Sequence, residues 1–239
     1  MIGVAACAVG VMAETSWRVK PLADDYVVVC ESPSPSNVYC YTPGLAVAGQ
    51  GRLVATMDFG GSGWKKEGPR GRIFVSDDRG KSCAQRASFP FLHARPFMAG
   101  KTLYVLGHAG DLMVVRSDDN GETWSEAVKL TDKQNWHQSA CNVWTANGCV
   151  YLVMERRVTQ AIQSWPVGEL APVLMRGRLD ADLTRRENWT FASELSFHDT
   201  LPNIEKDPGI DFFGVPFYDS AYPRGALPAP RRNSAPIGW

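Results

Sequence analysis

Short apolar runs bounded by turn residues organise this chain. Arg72 to Val75, Leu112 to Val115 and Pro172 to Arg178 read as strands. Between them, Gly100-Lys101 and Asn147-Gly148 have the composition of two-residue hairpin turns of types II′ and I′. A tight turn sets the pairing of everything that flanks it. Around Gly100-Lys101, residues whose numbers sum to 201 face each other, which predicts Phe97 opposite Tyr104, Arg95 opposite Leu106 and His93 opposite His108. Around Asn147-Gly148 the same rule places Trp144 opposite Tyr151, Ala140 opposite Glu155 and Gln138 opposite Arg157. An earlier hairpin turning near Gly49 to Gly51 brings Tyr41 close to Asp58 or Phe59.

Two of these strands run into the same eight-residue turn. Ser76-Asp77-Asp78-Arg79-Gly80-Lys81-Ser82-Cys83 matches Ser117-Asp118-Asp119-Asn120-Gly121-Glu122-Thr123-Trp124 at an offset of 41 residues. Within the pattern S-x-D-x-G-x-T-W, the Asp carboxylate can accept backbone N–H bonds inside the turn, Gly supplies a positive φ, and Trp packs beneath the corner. The second copy is complete, the first carries Ser82 and Cys83 for Thr and Trp, and a degraded third copy is expected around Asp180, Asp182 and Trp189.

These turns resemble the Asp box of the sialidase superfamily, and the stretch that carries the resemblance runs roughly from Tyr39 to Trp189. The resemblance implies an all-β fold, a sialidase-like β-propeller of four-stranded antiparallel blades, with about three of the superfamily's six blades present. Through His93-Ala94-Arg95-Pro96 and Trp136-His137-Gln138-Ser139 the chain also resembles uncharacterised bacterial proteins described as sialidase-like, a label that implies the fold more than the chemistry. Where the first-blade Arg of sialidases is expected the chain has Tyr41, and the acid/base Asp of that family falls near Lys65, with only Asp58 and Glu67 as nearby carboxylates. The family's Tyr–Glu nucleophile pair belongs to later blades, so it is expected beyond this chain. Three blades cannot close a ring, and the isolated chain is expected to self-associate or fold only partly.

A propeller brings the start of each innermost strand and the end of each second strand to one rim. That rim is the predicted ligand site. It would gather Tyr41, Asp58, His93, Arg95, His108, His137, Gln138 and Arg157 as substrate-binding residues, with Asp111 and Glu155 as catalytic carboxylates and Arg95 as the clamp for an acidic sugar. Each has a structural alternative: a cross-strand pair for His93 and His108, a structural ion pair for either carboxylate. The expected function is that of a sialidase-like, carbohydrate-active protein: a glycoside hydrolase acting on a terminal sugar, or alternatively a non-catalytic glycan- or protein-binding propeller.

Composition narrows the partners. The 239 residues carry 25 Lys plus Arg and 25 Asp plus Glu, so a net charge of zero provides no field to steer nucleic acid or an anionic membrane. A glycan or small sugar is the expected partner, with no cofactor and no metal assigned, since the histidines lack a compact ligand motif. Six cysteines without C-x-x-C spacing read as buried free thiols. The apolar run Ile2 to Ala13 is too short to span a bilayer but fits the core of a signal peptide, although no basic residue precedes it. Residues 1–13 are therefore a possible signal or disordered N-terminus ahead of a partial propeller at 14–239. Secretion and a cytoplasmic location stay equally open, as does the oligomeric state.

Overall fold

The computed structural model describes residues 26–137, 143–158 and 170–192. The possible signal at residues 1–13 and the candidate residue Gln138 lie outside them. The described residues form three antiparallel sheets laid side by side as blades. The first is β1 (Tyr39–Val47), β2 (Leu53–Gly60), β3 (Gly71–Ser76) and β4 (Ala84–Phe89), in that order. The second repeats the plan with β5 (Leu92–Ala99), β6 (Thr102–Ala109), β7 (Asp111–Ser117) and β8 (Val128–Lys129). In the third, β11 (Cys149–Arg157), β12 (Leu170–Arg178) and β13 (Trp189–Phe191) follow one another. Its inner position is shared by β9 (Trp136–His137) and β10 (Trp144–Ala146), which both pair with β11. The chain is a partial β-propeller.

Alternation along the strands explains the stacking. On β6, Leu103 and Val105 face the first blade and join Val54, Ile73, Val75 and Phe89. Tyr104 and Leu106 face the third and join Val150, Leu152, Met154, Val173 and Met175. The middle blade is thus buried on both sides, so its strands read as unbroken apolar runs. Each fully buried Leu, Val or Met on these faces contributes roughly 1.5–3 kcal/mol relative to exposure.

The eight-residue repeats are equivalent corners joining third and fourth strands. Ser117 Oγ accepts the Gly121 N–H at 2.8 Å and donates to Asp119 Oδ1 at 2.8 Å, while Asp119 accepts the Thr123 N–H at 2.9 Å. The same bonds recur as Gly80 N–H to Ser76 Oγ, Ser76 Oγ to Asp78, and Ser82 N–H to Asp78. Gly80 and Gly121 sit at φ +86° and +91°, which only glycine adopts without strain. In the third corner Leu179 and Ala181 replace the Ser and the Asp. The outer frame survives nonetheless: Arg178 bonds Asp180 as Arg116 bonds Asp118, and the Trp189 indole donates to Leu183 O.

Two registers differ from the turn arithmetic. Phe97 faces Tyr104 and Arg95 faces Leu106 as expected, but the register slips between Leu92 and Arg95, so Leu92 rather than His93 stands opposite His108. In the third blade Trp144 faces Tyr151, whereas Glu155 pairs with His137 instead of Ala140. Bulges on the inner strands cause the first slip, and the second arises because β9 and β10 meet β11 as separate pieces. Nor are the thiols fully buried: Cys30, Cys40, Cys83 and Cys149 are all half-buried.

Candidate functional site

Inner and second strands meet at the rim through three pairs: Tyr41 with Asp58, Leu92 with His108, and His137 with Glu155. Just beyond the first two pairs the inner strand bulges. Thr42 and His93 hold the matching bulge positions, at φ +50° and +54°. Both are non-glycine residues in the left-handed region, a conformation that persists only where neighbours impose it. Asp58 is that neighbour. Its Oδ2 accepts the Thr42 hydroxyl from its own blade and the His93 N–H from the next at 2.5 Å.

The rest of the Asp58 carboxylate is less well served. The residue is 1 % exposed, and Oδ1 is buried with no hydrogen-bond partner. Burial pushes its pKa up to about 6, against the pull of Thr42, the His93 N–H and the charges of Arg70 and Arg95.

Three imidazoles sit above it, one ring against another. His93 lies with its ring centroid 5.2 Å from both His108 and His137, and the latter two are 5.7 Å apart. His108 Nε2 and His93 Nδ1 share a hydrogen bond at 3.2 Å. Burial, then the neighbouring His93 and His137, lowers the His108 pKa to about 3, so this ring is neutral at any ordinary pH. His137 Nδ1 lies 3.0 Å from Glu155 Oε2, with the two side chains 24 % and 22 % exposed. Tyr41 meets His93 edge to face at 5.7 Å, and burial raises its phenol pKa.

Arg70 completes this wall and was missed in the sequence. It donates to the Tyr41 hydroxyl at 2.8 Å and to Phe59 O at 3.1 Å, and its guanidinium lies 4.7 Å from the Trp64 ring centre. Topology could have found it, because the loop after β2 starts and ends at the rim, placing Arg70 beside Tyr41.

Other predicted residues stand apart. Asp111 is at the rim end of β7, but its carboxylate is engaged by one loop: it accepts the Gln134 N–H, the Thr131 hydroxyl, the Lys133 N–H and Lys129 Nζ. Burial works upward on its pKa, yet those bonds outweigh it and hold the carboxyl low. Arg95 is 7 % exposed and donates to Ala94 O, which places the guanidinium beneath the surface rather than in an open clamp. Arg157 is half-buried at the end of β11, opposite Leu170, with its N–H on Asn135 O.

Among the described residues, no group of three or more His, Cys, Asp or Glu is arranged to hold a metal ion, and no helix is long and apolar enough to cross a membrane. A separate groove of about 660 Å³ runs past Leu130, Gln134, Arg186 and Phe191, and carries none of the predicted site residues.

No protein-family model and no curated protein sequence matches the chain. Among solved structures it is similar to a protein of unknown function from Dyadobacter fermentans, at 12 % identity, TM-score 0.47, covering 64 % of this chain and 41 % of that one. An α-L-arabinofuranosidase from Fusarium graminearum is similar at 12 % identity, TM-score 0.47, covering 70 % and 51 %. A sialidase from Streptococcus pneumoniae is similar at 15 % identity, TM-score 0.39, covering 64 % and 23 %. The chain spans at most about half the length of these three.

Proposed function

We propose that the rim is the sugar-binding site of a carbohydrate-active propeller, and that Glu155 with His137 forms the proton-transfer pair of a glycoside hydrolase. One observation carries this reading: Tyr41, His93, His108 and His137 converge from three blades, with a partly exposed carboxylate at their edge. Imidazoles and a phenol offer the mixed donors and acceptors that sugar hydroxyls need, and the Trp64–Arg70–Tyr41 wall supplies flat surface for a sugar face. Glu155 is exposed enough to touch a substrate and is bonded to a group that can relay its proton. The sialidase resemblance and the glycosidases among the similar structures agree with this reading.

The second reading, a glycan- or protein-binding propeller without catalysis, is favoured by the carboxylates. Most glycoside hydrolases use two at the scissile bond. Here Asp111 is engaged by its loop and Asp58 is buried below the imidazoles.

A glycan array followed by sugar-release assays on the hits separates the two. Hydrolysis by the wild type, with Glu155→Gln retaining binding but losing about 100-fold or more in turnover, is expected. Glycan binding without release in the wild type selects the second reading, and no glycan binding at all overturns the first reading and the glycan-binding form of the second.

A further inference from the structure

The segment entering the first blade folds back on itself. Ser32 Oγ donates to Val38 O at 2.5 Å, and Ser34 O accepts the N–H groups of Asn37 and Val38 at 2.8 and 2.7 Å. These bonds close residues 32–38 into a turn that sets position 32 beside position 38. Two residues further out on each arm stand Cys30 and Cys40. Both are half-buried free thiols, and Cys30 stands close enough to Cys40 to help raise its pKa. Cys40 is the second residue of β1 and stands opposite Phe59, whose ring is covered by the Arg72 guanidinium at 4.5 Å. Cys83 lies in the first corner and Cys149 on β11, so no other described cysteine shares this neighbourhood.

We infer that Cys30 and Cys40 are a disulfide-forming pair, whose oxidation closes a loop fastening the segment before β1 to the inner strand of the first blade. With oxidised glutathione as oxidant, the Cys30 thiolate attacks one sulfur of the reagent, releasing one glutathione thiol and leaving a mixed disulfide. Cys40 then gives up its proton and attacks Cys30 Sγ, releasing the second glutathione. Two thiols become one S–S bond and the glutathione disulfide takes up both electrons. The second step is the slow one, since burial and the adjacent Cys30 push the Cys40 thiol up to about 11, and its rate climbs with pH across the neutral range.

The test uses the whole chain, reduced and then exposed to oxidised glutathione. Mass spectrometry is expected to show a loss of about 2 Da within the protein, and peptides cut after Glu31 should stay joined until reductant is added. Closing this short loop is expected to raise the melting temperature by roughly 5 °C and to slow hydrogen exchange at residues 32–38. Cys30→Ser should abolish all four changes, while Cys83→Ser should keep them. A bridge to Cys83 or Cys149, a chain carrying only glutathione adducts, or an unchanged response in Cys30→Ser overturns the inference.

Discussion

His108 and Asp58 are buried ionisable residues on neighbouring blades, and their burial makes opposite demands on pH. The His108 pKa falls from 6.5 to about 3 on folding, so its contribution to stability is present above pH 6.5 and is lost as pH falls towards 3. The Asp58 pKa rises from 3.8 to about 6, so its contribution is present below pH 3.8 and is lost as pH rises through 6. Between about pH 4 and 6 the two slopes oppose. Replacing His108 by Gln removes one of them. The stability of His108→Gln minus that of the wild type is expected to grow as pH is lowered from 6.5 to 4, by up to about 1.4 kcal/mol per pH unit. Urea denaturation at pH 7, 5.5 and 4.5 measures it, and a pH-independent difference would show that His108 is not buried neutral.

At the scale of elements, Arg72 shows how a strand holds its own entrance. Although it is the second residue of β3, well away from the rim's inner strand, Arg72 is only 6 % exposed. Its guanidinium donates to the carbonyls of Glu67, Pro69 and Gly71 and lies over Phe59, tying the loop after β2 to the start of β3. Arg72→Ala strands those carbonyls and is expected to cost about 2–4 kcal/mol, read as a fall in the denaturation midpoint with little change in m. A loss below about 0.5 kcal/mol would return Arg72 to the neutral surface class. The contrast with the corners is instructive. Ser117, Asp119, Gly121 and Thr123 satisfy one another within seven residues, and Asn147-Gly148 turns its hairpin alone, so both were legible in the sequence. The bulges at Thr42 and His93 were not, because the Asp58 carboxylate that supports them lies 16 residues after Thr42 on the neighbouring strand and 35 residues before His93 on another blade. For the same reason the rim was legible as a place, but not its membership: Arg70 reaches it through a loop, and Asp111 is withdrawn from it by another.

At the scale of the whole molecule, the middle blade is covered on both sides and the end blades on one. Tyr39, Leu45 and Val47 on β1, and Trp144, Val153 and Leu174 on the third sheet, remain exposed at 37–69 %. These are the faces onto which further blades would stack, and they agree with a partial propeller. The rim is nonetheless assembled from the three blades present, because His93 and His108 come from the second and His137 from the third, with Tyr41 from the first. That assembly is open to direct observation. With histidines labelled at ring carbon, the protein can be titrated by NMR with the sugars retained on a glycan array, neutral and acidic. The ring signals of His93, His108 and His137, assigned by single substitution, are expected to move together along one saturation curve, and to stay put with sugars the array rejects. If a bound sugar leaves all three signals unmoved, the ligand sits elsewhere and the rim is a structural junction between blades.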